Sequence, residues 1–562
     1  MIDSAENVAE GAELRADICI VGAGAAGISL ALALGGVGLQ VLLLEGGLEQ
    51  PDAASQDLYD GEVADPAMHS PPRHYRSRQL GGATTIWGGR CVPFDPQDFE
   101  PRAAVPHSGW PIDRREVERF LPAANRLLEA GVAVYQASGA LGSASPPMLA
   151  RAPGLRLTVD GLERFSCPTN FGTRYRGRLQ RMPGLRLLTG ANCTRIALQP
   201  GAGAVRALEF STLAGRRFGV VAQVAVLAVG GLETPRLLLA SNDVLGSGVG
   251  NAHDVVGRYY MCHLAGSVGN LTLDGRPEQV RHGYELTTEG VYCRRRIALT
   301  AETQARLGVA NMVARLHFPA VANPSHRSSV LSGIFLVRRL LSHEYSRRVA
   351  NADEVGPWAR TRHLANILRY PHDAASFLVH WTLQRKLASR KFPSVILKNR
   401  NNRFSLEVNA EQAPLAESRV TLIDRRDPLG TPRLRVDWRY SESDIDSVAR
   451  SLEVIAEEFA ATGAGSFEFD RTTLRDDLTR YGAYGGHHIG TARMGNDPRT
   501  SVVDADARVH GVQNLYVAGS AVFPTSSQAN PTLVLVALAL RLGQHLAERL
   551  TGRPHDVAEA VA

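Results

Sequence analysis

The longest uninterrupted apolar stretch of the chain lies near its start. From Ile18 to Leu44 no charged residue occurs, a length sufficient for a bilayer span. Glycines at 22, 24, 27, 35, 36 and 38 divide it into an apolar run, a glycine-rich turn, a helix-length piece and a second apolar run. That punctuation predicts strand, turn, helix and strand rather than a span. The other end of the chain repeats apolar residues at helical spacing. TLVLVALALRLGQHLAERL follows Pro531 and predicts a helix with proline at its first position. Between the two, VAVLAVGGLETPRLLLAS predicts a strand ending at Gly230 and a helix starting near Glu233 and Pro235. EVNAEQAPLAESRVTLIDRRDPLGTPRLRVDWRYSESD predicts a set of strands with a DPLG turn. From Ser328 to Asn402, apolar and arginine residues alternate at helical spacing, most clearly in LSGIFLVRRLLSHEYSRRV and FLVHWTLQRKLASRKF. Two readings stay open there. The segment is a helical cap packed on a sheet with its arginines solvated, or a basic amphipathic surface that docks on a membrane or an acidic partner.

Composition narrows the class. The 562 residues exceed one compact core, so two domains or one elaborated domain are expected. Hydrophobic content of 44% with 21% charge is that of a globular protein. The net charge of +6 is almost wholly arginine, because Lys386, Lys391 and Lys398 are the only lysines. No nucleic-acid recognition motif accompanies it, and no nucleic-acid partner is expected. The six cysteines stand singly, without metal spacing, which predicts free thiols, a reducing compartment and no metal site. The opening MIDSAENVAEGAEL is acidic and polar, unlike a secretory signal, so the expected location is cytoplasmic.

ADICIVGAGAAGISLALALGGVGLQVLLLEGG carries the pattern of a dinucleotide site. Gly22 permits the tight turn, Gly24 lets the backbone approach a pyrophosphate, and Gly27 allows close packing of helix on strand. The helix N-terminus then faces the phosphates. Glu45 ends the second strand, eighteen positions after Gly27, where a ribose hydroxyl is bound. The acid favours FAD or NAD over NADP. GGATTIWGGR, from Gly81 to Arg90, is a second glycine-rich loop too far on to belong to the first unit.

With these segments the chain resembles the glucose–methanol–choline (GMC) oxidoreductases, FAD enzymes acting mainly on alcohols. The likeness covers the N-terminal unit, GGATTIWGG, GLETPRLLLAS, GNAHDVVGRYYMCH and everything from about Gly482 to Leu546. AGSAVFPTSSQANPTL looks closer to the pyranose-oxidase-like branch than to the glucose-oxidase branch. The resemblance implies a fold of class α/β plus α+β: a Rossmann-type FAD-binding domain built from a discontinuous chain, and a substrate domain of mixed or antiparallel sheet capped by helices. The expected division is 14–125, 181–266 and 470–562 for the FAD side, 126–180 as a connecting segment and 267–469 for the substrate side. By resemblance, Gly22, Gly24, Gly27, Glu45, Gly82, Thr194, Gly519 and Pro531 lie on the flavin. His487, which opens HHIGTARMG, matches the active-site histidine, and Asn530 falls on its partner position, forty-three residues on. Some relatives attach FAD through a histidine in the second loop. Ile86 occupies the pyranose-oxidase position here and forms no such bond, so dissociable FAD is expected.

A neutral histidine near flavin N5 suits removal of an alcohol proton, and an asparagine amide can fix the alcohol oxygen. Asn530 before proline also reads as a plain helix cap. His488 is a supporting or substrate-contacting residue, while His107, His253, His263 and His510 read as structural. The leading expectation is oxidation of an alcohol to a carbonyl on a small sugar, glycoside or polyol. The electron acceptor is oxygen or another species. Alternatives are a long-chain or polycyclic alcohol met at a membrane surface, and a non-redox or light-driven flavoenzyme.

Overall fold

In a computed structural model the described residues are 2–319, 321–338, 358–394, 396–397, 399–480, 482–483 and 486–562. The apolar runs around the first glycine turn form the middle of a parallel sheet. Glu13–Val21 lies between Val41–Glu45 and Arg217–Leu227, and Val41–Glu45 pairs in turn with Leu185–Thr189. Ile18, Ile20, Leu43 and Val226 are all fully buried, as expected of strands covered on both faces. Val205–Ser211 and Asn192–Leu198 continue the sheet antiparallel. The short Leu515–Val517 enters from the far end of the chain and pairs parallel with Ala225–Leu227.

The helix Ala25–Ala33 and the C-terminal helix Thr532–Thr551 cover this sheet and touch closely. At their contact a side chain on Gly543 would fall 2.6 Å from the Ala33 Cβ. The sheet begins earlier than the sequence suggests, because Ile2–Ser4 pairs parallel with Leu187–Thr189.

A second core lies under a six-stranded sheet that includes His263–Leu273, Arg403–Glu411 and Met312–His317, with the long helix Glu442–Thr462 against it. The strands Arg419–Arg426 and Pro432–Asp437, joined through the DPLG turn, do not enter this sheet. They pair with Gly61–Val63 in a separate sheet of three strands. The six-stranded sheet takes its edge strand Leu157–Thr158 from the expected connecting segment, and His263–Leu273 straddles the expected boundary at 267.

The basic segment is helical at Ser329–Val337, Ala359–Arg369 and Pro371–Trp381. The stretch from 339 to 357, which contains most of LSGIFLVRRLLSHEYSRRV, lies outside the described residues.

One expectation is corrected in its details. The helix over GLETPRLLLA runs Gly230–Ala240, so Pro235 lies inside it rather than in its first turn. Proline there lacks the N–H that would bond the Gly231 carbonyl. The Thr491 hydroxyl donates to that carbonyl at 2.6 Å instead. Gly231 is also the point of closest approach to the HHIGT segment, since a side chain on it would sit 2.2 Å from the His488 carbonyl oxygen.

Candidate active site

The first glycine turn adopts the form its residues require. Gly22 has φ +102°, and a side chain there would lie 2.6 Å from the Ala228 carbonyl oxygen. A side chain on Gly27 would lie 1.9 Å from the Gly22 carbonyl oxygen, which only glycine avoids. Gly24 sits at the N-terminus of Ala25–Ala33 with no side chain capping it. The helix's first amides are thus left for a ligand. Gly82, at φ +54°, brings the second glycine loop against the first: a side chain on it would meet the Gly24 Cα at 2.9 Å. Glu45 is buried, and its carboxylate accepts from the Ala23 amide at 2.7 Å and the Gly47 amide at 2.9 Å. Burial raises its pKa, and these two amides draw it back down.

Thr194 stands apart from this group, with its hydroxyl donating to the Glu209 carbonyl on the neighbouring strand. Two residues earlier, Asn192 accepts from Arg78 at 2.8 Å, and its Oδ1 stands 2.9 Å from where a Gly46 side chain would begin. Gly519, at φ +130°, follows Leu515–Val517 and has nothing within 4 Å of where a side chain would project. Ile86 is 57% exposed at the end of the second loop. Free amides at the end of Ala25–Ala33 and a glycine facing open space at Gly519 fit a dinucleotide.

The Gly519–Val522 segment lies alongside the HHIGTARMG segment. Gly490 and Ala492 donate to the carbonyls of Ser520 and Ala521, and the Ser520 hydroxyl donates to the His488 carbonyl. Further on, the loop bearing Asn530 is pinned from several sides. Ser527 donates to Asp98 at 2.6 Å, Gln528 donates to Asp95 at 3.0 Å, and Ser526 exchanges bonds with the Gln412 backbone. Asp98 is fully buried, and burial together with the Glu411 charge pushes its carboxyl up to about 7.

His487 and Asn530 come together as expected, with Asn530 Nδ2 at 2.9 Å from His487 Nε2. The plain-cap reading of Asn530 is not met. Pro531 itself occupies the cap position, the helix begins at Thr532, and no side chain caps it.

Two further residues define the pair, and the sequence reading assigned neither a role. Arg90 Nη1 donates to Asn530 Oδ1 at 3.4 Å. The amide therefore turns its NH₂ towards His487. His263, read from the sequence as structural, meets the other side of the ring, Nδ1 to Nδ1 at 2.9 Å. Proton bookkeeping follows from these contacts. The Asn530 amide donates, so His487 Nε2 is the bare acceptor. His487 Nδ1 then carries the proton and donates it to His263 Nδ1.

Burial holds His487 well below the usual histidine range, and the neighbouring His263 and Arg90 push the same way. His263 is likewise brought down to about 4 by burial. Arg90 leads into a buried ionic chain. It stands 3.6 Å from Glu163, which pairs with Arg315 at 2.5 Å, and Arg315 reaches Glu407 at 3.2 Å.

His488 points away from this arrangement. It is buried and bonds the Tyr260 hydroxyl at 2.6 Å through Nδ1; His69 Nε2 reaches the same hydroxyl at 2.8 Å, and the Cys262 thiol at 3.2 Å. His69 donates from Nδ1 to the Ser70 carbonyl, so the tyrosine proton goes to His69 Nε2. A hydrogen-bonded hub on the Tyr260 hydroxyl joins these four side chains.

A glycine-rich dinucleotide cradle leading to a neutral histidine beside an oriented amide is the arrangement of a cofactor-dependent oxidoreductase. The comparisons place it further. Residues 172–265 and 414–539 match the two GMC oxidoreductase family models. The 2-methyl-1,2-propanediol dehydrogenase of Mycolicibacterium austroafricanum is 23% identical, with 96% of each chain covered. A C-glycoside 3-oxidase of Arthrobacter globiformis is 36% identical over 126 residues, 22% of this chain and 23% of that one. The solved structure of pyridoxine 4-oxidase from Mesorbium loti superposes with a TM-score of 0.53 at 20% identity, covering 94% of this chain and 98% of that one. The chain thus carries segments of both GMC oxidoreductase domains. It is an oxidoreductase, and the family it resembles binds FAD.

Proposed function

We propose that this enzyme oxidises an alcohol to a carbonyl, with a sugar, glycoside or polyol as the substrate class. One observation carries the reading: His487 Nε2 is an acceptor held unprotonated beside the amide of Asn530. In the proposed step the substrate hydroxyl replaces the direct bond between the two side chains. His487 Nε2 takes its proton, Asn530 Nδ2 donates to its oxygen, and the hydrogen on carbon leaves with both bonding electrons. FAD, when bound, supplies the acceptor for that hydride. The proton already on His487 Nδ1 stays on its bond to His263, which keeps the ring in one orientation while Nε2 works. Arg90 fixes the amide, so that a donor and not an acceptor meets the oxygen.

Support for the substrate class comes from local likeness to a glycoside oxidase and full-length likeness to a diol dehydrogenase. Support for dissociable FAD is Ile86, whose side chain forms no bond to a flavin. Acid precipitation then leaves the yellow colour in the supernatant; colour in the pellet is the contrary result. A cytoplasmic location is supported by six unpaired cysteines.

The test is anaerobic. Purified protein is mixed with sugars, glycosides, polyols and apolar alcohols while the flavin absorbance is followed. Bleaching by the polyhydroxylated compounds is the expected result, and readmitted air separates an oxygen acceptor from another one. His487→Ala is expected to slow the bleaching about 10²–10⁴-fold. Wild-type bleaching in that variant would remove His487 as the base.

A further inference from the structure

The cap helices are built inside out. In Ala359–Arg369 only Ala359 and His363 are buried, and what holds the helix down is polar. His363 bonds Ser332 at 3.0 Å and the Ala322 carbonyl at 3.2 Å, while Asn366 donates to the Pro324 carbonyl at 2.9 Å. Leu364 and Leu368, one turn apart, face outward, and Leu368 is 81% exposed. The next helix, Pro371–Trp381, buries no residue at all. It packs on Ser329–Val337, sets His380 against Phe392, and is tied by the two-bond ion pair of Arg400 with Asp373, at 2.6 and 2.7 Å. Leu378, Val379, Leu383 and Leu387 continue the outward apolar surface, with Leu387 at 72% exposure. Of the sixteen exposed large apolar side chains among the described residues, seven fall between 358 and 387. Such clustering marks an interaction surface, since single exposed apolar residues are ordinary.

Charge says what covers it. Between residues 358 and 391 seven arginines and lysines stand against one acid, Asp373. The stretch thus carries +6, equal to the formal net charge of the whole chain, and the remainder sums to zero. A protein that concentrates its excess charge on its most apolar exposed face matches a surface that is both anionic and oily. Trp358, 70% exposed at the start of the first helix, is an aromatic residue suited to the headgroup level. Each helix has eleven residues, about 16 Å of length, which suits lying on a bilayer and not crossing it.

We infer that the cap, residues 358–391, is a peripheral docking surface for an anionic lipid bilayer. Its leucines enter the headgroup boundary, and its exposed cations, among them Arg362, Arg369, Lys386 and Lys391, lie among the lipid phosphates, while Arg385 and Arg390 are turned to backbone carbonyls of the protein. The inference is independent of the proposed alcohol chemistry, because its readout is binding.

The experiment uses the full-length, flavin-loaded protein and vesicles of phosphatidylcholine with or without phosphatidylglycerol. Co-sedimentation with the anionic vesicles at low salt, weakened at high salt and absent with neutral vesicles, is the expected result. Leu368→Asp with Leu387→Asp is expected to weaken vesicle binding about tenfold or more, with flavin content unchanged. Lys386→Gln with Lys391→Gln is expected to weaken it and to flatten its salt dependence. No binding to anionic vesicles, or equal binding to neutral ones, overturns the inference. So does a dimer in sedimentation velocity that Leu368→Asp dissolves while no variant changes lipid binding; the face would then be covered by a second copy of this chain.

Discussion

Replacing Thr491 by valine removes one hydroxyl from a fully buried position and leaves the side chain's shape almost unchanged. That hydroxyl donates to the Gly231 carbonyl, which the helix itself cannot satisfy because residue 235 is proline. In Thr491→Val the carbonyl is left buried without a donor, a loss of about 1–3 kcal/mol. The structure also predicts the repair. Pro235→Ala supplies an N–H four residues beyond Gly231, where the ordinary helical bond forms. In the wild-type background that change is close to neutral, because the carbonyl already has one partner and a second lone pair. In the valine background it recovers about 1 kcal/mol or more. The four proteins form a double-mutant cycle, read by urea unfolding under one protocol, so that differences carry the result even where unfolding is not two-state. Equal losses in Thr491→Val and in Thr491→Val/Pro235→Ala would refute the account, as would a valine variant as stable as wild type.

Three further predictions follow from the site. Arg90→Gln removes a cation that helps hold His487 unprotonated, so the acid limb of flavin reduction against pH moves upward; an unmoved limb in stopped-flow measurements contradicts it. His69 and His263 are each held down to about 4 by burial, against about 6.5 when unfolded. The unfolded chain therefore binds protons that the native one refuses, and stability falls as pH drops from 6.5 to about 4. That loss is roughly 3 kcal/mol for each at most, and a flat stability profile across this window in urea titrations would be the contrary outcome. Gly27→Ala places a methyl against the Gly22 carbonyl, so the purified variant is expected to carry little or no flavin; normal flavin content would show that the turn relaxes freely.

The glycines and the His487–Asn530 pair were legible in the sequence for a physical reason. A turn that admits no Cβ at Gly22 and Gly27 demands one residue type at fixed spacing, and such a demand is written locally. His487 and Asn530 were legible through the motifs around them. Arg90 was not, although it closes the amide's orientation, because 440 positions separate it from Asn530. His263 lies 224 positions from His487 and read as one more buried histidine. Glu163 and Arg315, both nearly fully buried, sit on strands where alternation suggests solvent. Their burial is explained by the ionic chain they join, with Arg90 beside Glu163 and Glu407 beside Arg315. Pro235 misled because its compensating donor arrives from another motif. In the cap the pattern of leucines and arginines was plain, but which side each faced depended on the polar anchors of His363 and Asn366.

The strand Leu515–Val517 has a consequence for how the chain is made. It pairs with Ala225–Leu227, in the middle of the parallel sheet, yet it leaves the ribosome about 290 residues later. At about 5–20 residues per second that interval is roughly 15–60 s. Throughout it, the second half of Arg217–Leu227 shows an unpaired edge, and Gly519, which follows the missing strand, is not yet in place. The nascent protein is thus obliged to wait, with an open sheet, for its own tail. An exposed edge of this kind invites pairing with other chains unless it is shielded during synthesis, and losing Leu515–Val517 leaves it open for good.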